Sequence, residues 1–206
     1  MVPDDLRLRV LQALAEADAG DLAMTSLLDP PQVPEIQVAL SNGSVEALVY
    51  LVPASEACDG VALVVPATGT VQALPLPGLR IAGATPVARY LEAYEERRTA
   101  QPGAKDAAVA RWQGTLDDVC EWAWLAAVRH IIRHCATWDL ARPVRLALVP
   151  LGALALVPWH AANARVGAQR RYAIQDAVFS YGASARLLCR SLLRPVADVQ
   201  AVIKSD

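Results

Sequence analysis

Arg145 to Arg190 reads RLALVPLGALALVPWHAANARVGAQRRYAIQDAVFSYGASARLLCR, and this stretch decides the fold. Val144 to Val149 is short, almost continuously apolar and stopped by Pro150, the pattern of a strand buried on both faces. Ala177 to Tyr181 is a second strand candidate. It ends at Gly182 and runs into Ala185 to Leu193, where Leu187, Leu188 and Leu192 recur at helical spacing. Strand, tight turn and helix in that order make half of an α/β unit.

The same stretch carries a family resemblance. An apolar strand closing on Val149-Pro150, then Leu156-Val157-Pro158-Trp159, then the junction formed by Tyr181, Ser184 and Leu188 resembles the N-terminal part of a CHAT domain. These are caspase-like and separase-like cysteine peptidases, often attached to helical repeats. In order of elements the resemblance runs from about residue 45 to 206. It implies a caspase-like mixed sheet flanked by helices. The family's chemistry sits in a His-Gly segment and a later Ser-Ala-Cys segment, and the chain contains neither. His130, His134 and His160 are not followed by Gly, and Cys58, Cys120, Cys135 and Cys189 are not preceded by Ser-Ala.

Composition narrows the alternatives. At 206 residues the chain is long enough to bury a core without disulfide staples. Hydrophobic residues make up 54% and the mean hydropathy is +0.28, high for a soluble chain, so apolar surface is left for a partner to cover. A net charge of -2 and a pI near 5.9 argue against nucleic acid, whose phosphates call for concentrated positive charge. Lys105 and Lys204 are the only lysines, a bias that fits a GC-rich bacterial genome. The start, MVPDDLRLRV, lacks the uninterrupted apolar core of a secretory signal. The most apolar segment, Leu146 to Ala162, is broken by Pro150, Gly152 and Pro158, so no membrane span is expected. Four cysteines without CxxC spacing read as reduced, buried thiols of a cytoplasmic protein.

Along the chain, Asp4 to Ala19 is an amphipathic helix ending at Gly20, followed by a short helical piece, Asp21 to Leu28. Prolines 30, 31 and 34 make a linker of Asp29 to Glu35, so residues 1–35 read as a helical arm and 36–206 as the CHAT-like part. Val45 to Val52, Val61 to Pro66 and Val71 to Leu76 form an antiparallel meander. Thr85-Pro86 starts a helix to about Arg98, with a hydroxyl cap and proline in the first turn. Gln101 to Lys105 is a loop. Thr115 to Trp138 is the longest helix candidate, opened by a Thr-x-x-Asp cap at Thr115 and Asp118 and apolar nearly all round, hence covered on more than one side. Val196 to Ile203 is strand-like, and a chain ending there reads as one cut before its fold is complete.

Four groups invite a chemical reading. Gly182-Ala183-Ser184-Ala185-Arg186 sits where a hydrolase elbow would be, but its fifth residue is Arg and no His follows, so Ser184 reads as a helix cap. His130 and His134 share a helix face with Cys135 adjacent, yet Arg129 and Arg133 flank them and a zinc ligand set is incomplete. His160 and Asn163 follow a strand, where a Cys-His pair with Cys58 or Cys189 is conceivable; the resemblance places this segment, with Trp159, in packing under the sheet. Arg165, Arg170 and Arg171, with Arg186 and Arg190 near, form a basic loop. No catalytic residue, cofactor-binding residue or metal ligand is assigned.

The resemblance therefore implies the non-catalytic scaffold of a CHAT-type peptidase. The His would be a base or orienting group and the Cys thiolate the nucleophile, both carried by residues outside this chain. The alternative is a standalone pseudo-peptidase acting through an exposed sheet edge. Either way the expected partner is protein: the missing peptidase part, another protein or a second copy.

Overall fold

The computed structural model describes residues 30–138, 140, 143–167 and 169–193. The chain divides after Gln32 into two units, and all the described elements belong to the second. The helices expected over Asp4 to Leu28 and the strand expected over Val196 to Ile203 lie outside the described residues.

Alternation and apolar runs build a five-stranded mixed sheet. β1 (Ala47–Val52), β2 (Gly60–Pro66) and β3 (Gln72–Leu76) form the antiparallel meander, and β4 (Val144–Pro150) and β7 (Ala177–Tyr181) add in parallel on the other side of β1. The order is β3-β2-β1-β4-β7. Register is fixed by pairs such as Val49↔Val64, Val49↔Leu148 and Leu146↔Phe179. Between β4 and β7, β5 (Asn163–Val166) and β6 (Gln169–Tyr172) form a separate ribbon.

Strand β4 is buried on both faces, as its apolar run requires. Leu146 and Leu148 enter one core; Ala147 and Val149 enter the other. The first core is covered by α2 (Pro86–Thr99), α3 (Lys105–Ala123) and α4 (Arg129–Cys135). The second is covered by α1 (Val33–Asn42) and α5 (Ala185–Leu193), through Ile36, Leu40, Leu188 and Cys189. Helices on both faces of a mixed sheet make a three-layer α/β architecture, consistent with a caspase-like partial domain. No helix among the described residues is long and apolar enough to cross a membrane.

Two helix starts differ from expectation. Helix α1 begins at Val33, inside the expected linker, because Pro34 falls in the first turn, where a missing N–H costs no hydrogen bond. The helix closes on Ser44, left-handed at φ 52, with Val45 N–H on the Leu40 carbonyl at 2.9 Å and Ser44 N–H on Ser41 at 3.2 Å. The long helix begins at Lys105, ten residues before Thr115. Thr115 is no cap: its hydroxyl donates to the Trp112 carbonyl at 2.9 Å within the helix. Thr115-x-x-Asp118 falls where the chain is already helical, and the alanine-rich, largely exposed first turns of α3 carry no apolar stripe to mark its start.

Between α3 and α4 the chain makes a π-turn, Trp124–Val128, with the Arg129 N–H reaching five residues back to Trp124. Ala126, Ala127 and Val128 face the core, while Leu125 stays 47% exposed. The helix is thus covered on less of its circumference than its composition implied.

Candidate functional site

The carboxyl ends of parallel strands are where α/β sheets usually carry chemistry. Here β4 and β7 end at Pro150 and Tyr181, and the loop Leu151 to Ala162 lies over them. Trp159 is fully buried, its indole N–H donating to the Leu154 carbonyl at 2.9 Å and its ring 5.9 Å from that of Trp122. It is a core residue, as the sequence suggested. The next residue, His160, points the other way and meets Tyr181. Its backbone N–H donates to the phenol oxygen at 3.0 Å, and Nδ1 lies 2.9 Å from the same oxygen. The rings meet edge to face at 5.9 Å. In the tautomer that leaves Nδ1 without a proton, the phenol donates to it. Burial raises the Tyr181 pKa, opposed by the hydrogen bond from the His160 backbone, so the phenol stays protonated.

Ser184 accepts from the Leu187 N–H at 3.3 Å, and its carbonyl accepts from Leu188 at 3.1 Å. It caps α5, as the sequence suggested. Asn163 is buried and donates to the Ala161 carbonyl at 3.1 Å. His160 and Asn163, close in sequence, are therefore engaged separately.

On α4, His130 Nε2 accepts from Arg129 Nε at 3.2 Å. Burial lowers the His130 pKa, Arg129 and Arg133 push the same way, and a hydrogen bond to the Leu125 carbonyl opposes them. His134 instead packs edge to face on Trp138, ring centres 5.6 Å apart. No cluster of three His, Cys, Asp or Glu side chains that could hold a metal occurs among the described residues.

The four cysteines are free thiols, Cys58 exposed and Cys120, Cys135 and Cys189 buried. Burial pushes Cys120 up to about 11, with Asp117 adding to it, and Cys135 up to about 12. Cys189 is raised by burial as well. A thiol must lose its proton to act as a nucleophile, and these three sites disfavour that. The β5–β6 ribbon sets Arg165 opposite Arg170, but two of its guanidinium groups are already engaged: Arg170 pairs with Asp117 at 2.9 Å and Arg171 with Asp176. The expected basic loop is a ribbon tied to α3 and to the turn before β7. The His160–Tyr181 contact, across 21 residues, had no signature in the sequence, since neither residue lies in a periodic pattern with the other.

This geometry defines a three-layer α/β domain whose polar side chains at the strand ends serve one another. The family model of the CHAT domain matches residues 117–205, from the middle of α3 onward. The resemblance read from Val149-Pro150 to Leu188 is thereby shown, and it relates the chain to the caspase-like peptidase family; residues 45–116 lie outside the match. No curated protein and no solved structure matches the chain.

Proposed function

We propose that this chain is the non-catalytic scaffold part of a CHAT-type cysteine peptidase, working in the reducing cytoplasm of a bacterium, with the Cys-His dyad carried by residues outside it. The observation that supports this most is the state of the thiols. Cys120, Cys135 and Cys189 are buried with their pKa values raised, the opposite of what a nucleophilic thiolate needs. His160, the histidine nearest the strand ends, already spends Nδ1 on Tyr181. The test is direct: the purified chain, offered a panel of peptide substrates, shows no turnover. Turnover that disappears on changing any one of Cys58, Cys120, Cys135 or Cys189 to Ser would overturn the proposal.

A second reading is a pseudo-peptidase used for protein interaction. It is favoured by strand β7, the outer strand of the described sheet, which exposes Val178 and Tyr181. Pull-down of a protein partner lost on substituting Val178 would favour this reading over the first.

A further inference from the structure

We propose that strand β7 pairs antiparallel with β7 of a second copy of this chain, joining two sheets across a two-fold axis. The inference gives the interaction reading above its partner, and it stands whether or not a catalytic dyad exists elsewhere.

The two edges of the sheet are built differently. At β3, Pro75 stands opposite Val61 and brings no N–H, a common way of blunting an edge. Strand β7 has no proline and no charge. The Gly182 N–H donates to the Leu148 carbonyl at 2.9 Å, so by alternation Val178 and Ser180 aim their backbone groups at β4. Ala177, Phe179 and Tyr181 then aim theirs outward, where no strand of the described sheet meets them. On the strand and in the turn just before it, apolar side chains are exposed: Ile174 60%, Val178 51% and Tyr181 46%.

The hand of the crossovers bears on what can fill the edge. The connections from β1 to β4 and from β4 to β7 both pass over the core that holds Leu146 and Leu148. Helix α5 lies on the opposite face. A right-handed crossover through that face leads back across the sheet, away from the β7 edge, so a parallel strand delivered by α5 is not its natural occupant.

A second β7 matches the first. Centred on Phe179, the antiparallel register sets the outward groups of Ala177, Phe179 and Tyr181 against Tyr181, Phe179 and Ala177 of the other copy, each pair exchanging both hydrogen bonds. Small Ala177 then lies beside large Tyr181, and Val178 beside Ser180, and no like charges oppose one another. Tyr181 is already held in place by His160, so little side-chain freedom is lost on pairing.

Sedimentation of the full chain over a concentration series tests this, with amide exchange read at two of those concentrations. The expected result is a monomer–dimer equilibrium weakened at least about tenfold by Val178→Lys and unchanged by Gln72→Lys on the other edge. The Phe179 N–H, which β4 does not use, becomes protected as concentration rises. A chain that stays monomeric throughout, a dimer indifferent to Val178→Lys, or Phe179 protection independent of concentration would each overturn the inference. Folding of both variants is checked by near-UV circular dichroism, and Ser180→Lys serves in place of Val178→Lys if the latter unfolds. None of these outcomes bears on the peptidase assay.

Discussion

Tyr181 is tied twice to His160 through one phenol oxygen, which accepts from the backbone N–H at 3.0 Å and faces Nδ1 at 2.9 Å. The pair pins the Leu151 to Ala162 loop to the end of the edge strand. Tyr181→Phe removes both contacts while keeping the ring. Because the site is partly open to water, which can take over the freed groups, a loss of about 0.5–1.5 kcal/mol is expected. Urea unfolding of the two proteins measures it; equal midpoints would mean that the loop is held by Trp159 alone.

The thiols should differ sharply in reactivity. Cys58 is exposed, whereas burial raises Cys120 to about 11 and Cys135 to about 12. Brief treatment with iodoacetamide at neutral pH, followed by peptide mass mapping, is expected to label Cys58 in the folded chain and the other two only after unfolding. Labelling of Cys120 as fast as Cys58 would contradict the assigned burial.

The two threonines that resemble helix caps should behave oppositely. Thr85 accepts from the Ala88 N–H at 3.2 Å at the start of α2. Thr85→Ala should cost about 1 kcal/mol. Thr115 lies inside α3, and Thr115→Ala should be neutral or slightly stabilising, alanine being the better helix former. Thermal unfolding of both variants against the parent decides the matter.

Gly60 opens β2 at a point where a Cβ would stand 2.7 Å from Leu79 Cβ and 2.8 Å from the Leu76 carbonyl oxygen. Neither atom is the free end of a side chain, so the backbone must shift. Gly60→Ala is expected to destabilise by about 1–3 kcal/mol, measured by denaturant unfolding. Gly43→Ala meets only the end of Leu192 at 2.4 Å and should cost less.

His130 gives a pH dependence of definite sign. Its folded pKa is lowered from 6.5, chiefly by burial, so the unfolded chain binds the proton more readily. The stability it contributes is present above 6.5 and is lost as the pH falls through the folded value. His130→Gln should flatten that part of the stability–pH curve, and identical curves would remove His130 from the account.

What the sequence disclosed was whatever local pattern determines. The β4 run, the β7–α5 junction, the meander and the Thr85-Pro86 start each follow from residues within a few positions of one another. The misses share a different cause. Pro34 breaks helices in their interior but suits a first turn, so the start of α1 at Val33 falls inside the expected linker. The β5–β6 ribbon carries Arg165, Arg170 and Arg171 with no apolar alternation, and Arg170 is tied to Asp117, 53 residues away. The π-turn at Trp124–Val128 turns Leu125 outward, which no periodicity announces. At the strand ends, Ser184 is legible as the cap of α5, but the pairing of His160 with Tyr181 is not.

Strands β1 and β4, neighbours in the sheet, come from distant parts of the chain: the Arg145 N–H meets the Glu46 carboxylate across 99 residues. Bringing such remote segments together is slow, because the entropy of a long closed loop is spent before its contacts form. The hairpin of β1 and β2 is expected to form early, and the central parallel pair after it. During refolding, pulse-labelled amides of β2 should therefore gain protection before those of β4, and the reverse order would show that the core assembles from its carboxyl-terminal half.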